Sequence, residues 1–107
     1  HYLVRGEPVE SRLDALREDL EDEAFVELEP FGRALTKGLC NARRSGGEGV
    51  WEEEDYCRPP LAEEREAVLD EYFEHLQVER VERGEGWSQI ADLPYLFPGL
   101  AEAVRSG

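Results

Sequence analysis

The sequence predicts an α+β fold, in which a small mixed or antiparallel sheet of three to four strands carries helices packed on one face. Three observations predict it. Short β-prone runs alternate with stretches of helical periodicity. Glycine and proline clusters separate these runs. With 107 residues, 40% of them hydrophobic, the chain has room for one core and one ordinary domain.

Tyr2, Leu3 and Val4 form an apolar, β-prone run closed by Gly6 and Pro8, and read as a first, central strand. Ser11 can cap the helix that follows. Leu13, Leu16, Leu20 and Ala24 recur at spacings of three and four, while Asp14, Glu18, Asp19 and Glu21 take the wet side. Phe25, Val26, Glu27 and Leu28 read as a second, short strand.

The next segment has two readings. Pro30 suits a first helical position, and Phe31, Leu35, Leu39 and Ala42 repeat as a helix over residues 30–43. Gly32 and Gly38 each weaken that helix by about 1 kcal/mol relative to alanine. Alternatively, residues 34–43 are one arm of a hairpin that turns at Ser45-Gly46-Gly47-Glu48-Gly49. The helix is the favoured reading.

Residues 50–57 hold Val50, Trp51, Tyr56 and Cys57 around four successive acids, and read as an edge strand whose charges discourage further pairing. Pro59 and Pro60 then open the strongest helix, with Leu61, Val68, Leu69, Tyr72, Phe73 and Leu76 on one stripe and Glu63 and Glu64 in its first turn. Residues 78–83 read as a last strand, ended by Gly84 and Gly86. If segment 34–43 is a hairpin arm, the order is βαββαβ and the architecture resembles a ferredoxin-like sandwich. That architecture hosts many unrelated functions.

The expected division is a core over residues 1–86 and an apolar tail over 87–107. Trp87, Ile90, Leu93, Tyr95, Leu96, Phe97 and Leu100 crowd into this tail and must be covered, by the core or by a second subunit. Pro98 can start a final short helix with Leu100, Ala103 and Val104 facing inward.

The charge balance narrows the function. Lysine and arginine total 12 against 26 acids, for a net charge of −14. Such a field repels phosphate backbones and anionic membrane surfaces, so neither nucleic acid nor membrane is an expected partner. A solvated surface, adapted to a salty cytoplasm, accounts for the charge, and a basic protein partner is the sharper reading. No apolar run approaches the roughly 18 residues of a membrane span, and no signal peptide is visible. Cys40 and Cys57 do not make a disulfide scaffold, so reduced thiols and a cytoplasmic location are expected.

Four groups are candidates for chemistry. Glu52 and Glu54 share one strand face and are candidate ligands for a hard cation, although no calcium-loop pattern accompanies them and no metal or cofactor is expected. Cys57 precedes Arg58 and a helix start, a setting that favours thiolate, and Cys40 is a candidate neighbour. His75 lies four after Glu71, within reach on a helix surface. Arg58 and Arg65, with Trp51, are candidates to clamp a small carboxylate. A zinc site would need Cys40, Cys57 and His75 to converge, and the glycines at 46, 47 and 49 lack the lysine and hydroxyl of a phosphate loop.

These features favour a small protein acting by association, a homodimer or higher oligomer built through the tail and its sheet, serving as a binding or accessory domain. The alternative is a small enzyme. Its pocket would be lined by Trp51, Tyr72, Phe73, Trp87 and Tyr95, with polar chemistry from Cys57, His75 or the strand acids.

Overall fold

Leu3 and Val4 are both fully buried although neighbouring strand residues point to opposite faces, so the first strand is covered on both sides. A computed structural model describes residues 1–100 and shows why. Strand β1 (Tyr2–Pro8) lies between β3 (Glu48–Glu53) and β4 (Phe73–Arg80), and β2 (Arg43–Ser45) pairs with the other side of β3. The order β2-β3-β1-β4 is antiparallel throughout, with Val4 opposite Trp51 on one side and Val78 on the other. The α+β class and the central position of β1 match the sequence expectation. The position of β3 does not. It is an inner strand, and its acids are held by partners described below.

Helices α1 (Leu13–Glu21) and α2 (Gly32–Cys40) pack on one face. So does α3, a continuous helical segment made of Ala62–Glu64, a π-helical Arg65–Leu69 and Asp70–Tyr72. Their buried stripes meet the sheet through Leu16, Leu20, Leu35, Leu39, Val68 and Leu69, closing over Val4, Trp51 and Phe73. Gly32 is required where α2 begins. A Cβ there would lie 2.1 Å from the Phe25 carbonyl oxygen, a backbone atom that cannot step aside. The glycine that weakens the helix reading is thus the one that lets α2 close on the preceding turn.

Three local expectations are corrected. Residues 25–28 are a turn, with the Leu28 amide bonded to the Phe25 carbonyl. Phe25 is buried edge-on against Tyr72 while Leu28 is exposed, so the run lacks the alternation of a paired strand. The ambiguous segment contains both alternatives in sequence. Its helix ends at Cys40 and a short hairpin arm follows at Arg43–Ser45, turning through Gly46 and Gly47. The third helix stops at Tyr72, because Phe73 is already extended and pairs with Pro8 of β1. Phe73 and Leu76 therefore lie on a strand, and the last strand begins five residues earlier than the sequence suggests.

The second face of the sheet is covered by the tail. Short helix α4 (Glu85–Gln89) leads to Ile90, which joins Leu3, Val50 and Val81 in a smaller core with Trp87 and Leu93 against it. The chain then passes β2, where the Arg44 amide donates to the Pro94 carbonyl and the Leu96 amide to the Ala42 carbonyl. Leu96, Phe97 and Leu100 complete the main core. Of the side chains expected at a subunit interface, Ile90, Leu96, Phe97 and Leu100 are buried within this chain, while Trp87, Leu93 and Tyr95 are half-buried. Ala103 and Val104 lie outside the described residues. Among those described, no helix is long and apolar enough to cross a membrane.

Candidate functional site

Where β3 leaves the sheet, four consecutive acids meet four different environments. Glu52 faces the smaller core, where its carboxylate accepts the backbone amides of Gly84 at 2.9 Å, Gly86 at 2.8 Å and Trp87 at 3.3 Å. Glu53 faces the main core and accepts the Trp51 indole N–H at 3.0 Å. Glu54 is exposed, accepts the Tyr56 hydroxyl and stands 3.8 Å from His1. Glu52 and Glu54 therefore do not form the cation pair considered from the sequence, because Glu52 is occupied in holding the turn into α4.

Asp55 organises the loop that follows. Its Oδ2 accepts the Leu61 amide at 2.6 Å and the Cys57 amide at 3.0 Å. These bonds hold Leu61 fully buried in a left-handed backbone conformation, φ 64°, at the threshold of α3. One turn into α3, Glu64 points inward. Its Oε2 lies 3.9 Å from the Cys57 thiol, and one ligand atom each from Asp55, Cys57 and Glu64 fall within 4.8 Å of one another. Glu64 also reaches hydrogen-bonding range of Asp55 and of Glu53. Glu53 and Glu64 are 2% and 0% exposed, and Glu53 Oε2 and Glu64 Oε1 have no hydrogen-bond donor outside this group of acids.

Burial sets the protonation of this group. It pushes Glu53 up to about 8 and Glu64 up to about 7. For Asp55 burial pulls the same way, but hydrogen bonds from Glu64 and from the Leu61 and Cys57 amides outweigh it and hold the carboxyl below its usual range. Burial also raises the Cys57 thiol, with Asp55 and Glu64 adding to the effect. Arg58 and the helix start thus do not make Cys57 a thiolate. Cys40 is a core residue pushed up to about 11 by burial. Both cysteines are free thiols.

The remaining candidates are dispersed. His75 is not on a helix. It sits in the β1–β4 bulge at φ 54°, exposed, against Glu7 and Glu74, and Glu7 raises its pKa. Trp51 is buried against Phe73 with ring centroids 5.2 Å apart. The Tyr72 hydroxyl donates to Asp19 at 2.7 Å. These three aromatics belong to the core. Arg65 pairs with Asp70 at 3.7 Å, and Arg58 is exposed elsewhere, so the clamp expected around Trp51 does not assemble.

A different set of cations does converge. A cleft of about 360 Å3 between α2, the end of β3 and the turn into α4 is lined by Arg33, Lys37, Arg83 and Trp87, together with Glu52, Glu53 and Glu54. None of the three cations makes an ion pair within 4.0 Å among the described residues. A neighbouring cleft of about 430 Å3 is lined by Phe31, Arg33, Asp55 and Cys57. Arg33 and Lys37 had a legible signal, since they lie four apart on the wet face of an amphipathic helix. Arg83 had none, because the residues of α2 that share its cleft come from a distant segment; Glu64 lies only seven residues from Cys57, but its inward turn depends on the loop between them. No family model matches the chain, and no curated protein or solved structure matches it significantly, so the ferredoxin-like sandwich expected from the sequence is not confirmed.

Proposed function

We propose that this chain is a small binding domain for an organic anion, with its site in the cleft between α2, the end of β3 and the turn into α4. One observation carries the reading. In a chain of net charge −14, three cations without ion-pair partners, Arg33, Lys37 and Arg83, line a single cleft. Glu52, Glu53 and Glu54 line the same cleft, but none of them pairs with these cations within 4.0 Å. The Glu52 carboxylate is occupied by three amides, the Glu53 carboxyl is turned into the core, and Glu54 is engaged by Tyr56. Trp87 adds a flat apolar wall. The ligand class is a carboxylate or phosphate joined to a planar group that lies on the indole.

Trp87 reports on the site, because the other tryptophan, Trp51, is fully buried. Titration with benzoate, phenyl phosphate and inorganic phosphate should change Trp87 fluorescence saturably, and Trp87→Phe should lose the change. Arg33→Ala or Lys37→Ala should weaken binding about tenfold, and added salt should weaken it further. A flat titration with all three probes would refute the reading.

Association of copies is a second reading, favoured by the sheet rather than the tail. Among the described residues β4 pairs only with β1, which leaves its eight-residue outer edge unpaired. Twofold pairing of β4 with its copy would give a dimer by native mass spectrometry. A monomer at high micromolar concentration would end that reading.

A further inference from the structure

We propose that Asp55, Cys57 and Glu64 form a three-ligand site for a zinc-class divalent cation, separate from the anion cleft and independent of it. The three side chains arrive from the end of β3, the 55–61 loop and the first turn of α3, and their ligand atoms already lie within 4.8 Å of one another. Around a tetrahedral zinc ion, sulfur and oxygen ligands stand about 3.5 Å apart. The Cys57 Sγ to Glu64 Oε2 separation is 3.9 Å, so only a few tenths of an ångström of closure is needed between them.

A second observation points to a ligand. Glu64 is fully buried, and its Oε1 has no donor outside the acids themselves; its polar neighbours there, Asp55 and the 2%-exposed Glu53, are also carboxyl groups, so only a retained proton can bridge them. Buried carboxylates need a positive or donating partner, and a cation at the cluster takes the place of the proton that the acids otherwise share. The supporting shell resembles that of a metal site. The Leu61 and Cys57 amides orient Asp55, as outer hydrogen bonds orient metal ligands.

The donor set selects the ion. Calcium and magnesium take oxygen ligands, whereas one sulfur with two carboxylate oxygens suits zinc and its borderline neighbours. On binding, the Cys57 S–H bond breaks, its proton leaves to solvent and the sulfur bonds the metal; no electrons are transferred. Cys57 and Asp55 also line the cleft of about 430 Å3, so the fourth position opens to water.

Cobalt(II) titration of the reduced, metal-free protein tests the site, because thiolate ligation produces a near-ultraviolet charge-transfer band that histidine and carboxylate ligands do not. The expected result is a band saturating at one equivalent, retained in Cys40→Ser and absent in Cys57→Ser. Glu64→Gln should weaken binding at least about tenfold. No band in cobalt excess, a band surviving Cys57→Ser, or unchanged affinity in Glu64→Gln overturns the proposal. Should Cys57→Ser fail to fold, the native protein supplies a second readout. Zinc should slow iodoacetamide alkylation of Cys57 at least about tenfold, and an unchanged rate overturns the proposal.

Discussion

Glu53 and Glu64 put two carboxyl groups where water does not reach, and each keeps its proton into the neutral range because the charged form is poorly solvated there. This has a definite consequence for the metal-free protein. Both folded pKa values, about 8 and about 7, lie above the ordinary 4.5. Below pH 4.5 both states are protonated and the pair contributes no pH dependence. As pH rises above that value the unfolded chain gives up protons that the folded chain retains, so stability falls until about pH 8 and then levels off. The loss between pH 5 and pH 8 should amount to several kcal/mol. Glu53→Gln can still accept from Trp51 and cannot ionise. It should be more stable than the native chain at pH 8 and show a shallower decline. Parallel denaturation midpoints for the two proteins from pH 5 to pH 8 would show that Glu53 is not the source.

At the scale of elements, β3 and α4 depend on each other through Glu52. A five-residue helix does not stand alone in water, and α4 has no side-chain cap of its own. Its first amides instead reach 32 to 35 residues back to a carboxylate on the sheet. Gly86 permits the approach, since a Cβ there would come within 2.9 Å of the Glu52 Oε1. Glu52→Ala should destabilise the protein by about 2–4 kcal/mol, because it leaves buried amides without an acceptor. It should also shift Trp87 emission to the red as α4 loosens. A blue-shifted or unchanged spectrum with full stability would show that the turn is held by packing alone.

For the whole molecule, the tail is part of the fold. One face of the sheet is closed by α1, α2 and α3, and the other by residues from Val81 to Leu93, after which the chain returns to the main core. Ending the chain at Gly84 would uncover Leu3 and Val50 and remove Leu96, Phe97 and Leu100 from the larger cluster. The expected outcome is loss of cooperative unfolding by circular dichroism, since several fully buried apolar side chains, each contributing about 1.5–3 kcal/mol, are removed or exposed. A truncated chain that melts cooperatively at the native temperature would make the tail an appendage.

What the sequence determined by itself is whatever rests on neighbours close along the chain. The period of Leu13, Leu16 and Leu20 sets α1, that of Leu35 and Leu39 sets α2, and the glycines at 46 and 47 set the hairpin. The same local reasoning required that the apolar tail be covered. It could not say by what, because much of the surface that receives Ile90 and Leu96, namely Leu3, Val50 and Ala42, lies at least 40 residues away. The helix was carried past Tyr72 for a related reason, since periodicity does not reveal that β1 offers Phe73 a backbone partner. The run Glu52, Glu53, Glu54 and Asp55 shows the limit most sharply. Four like charges read locally as a solvated edge, yet tertiary structure buries two of them. The amides of 84–87 come from 32 to 35 residues away and the carboxyl of Glu64 from beyond the next loop, and only folding places them beside β3.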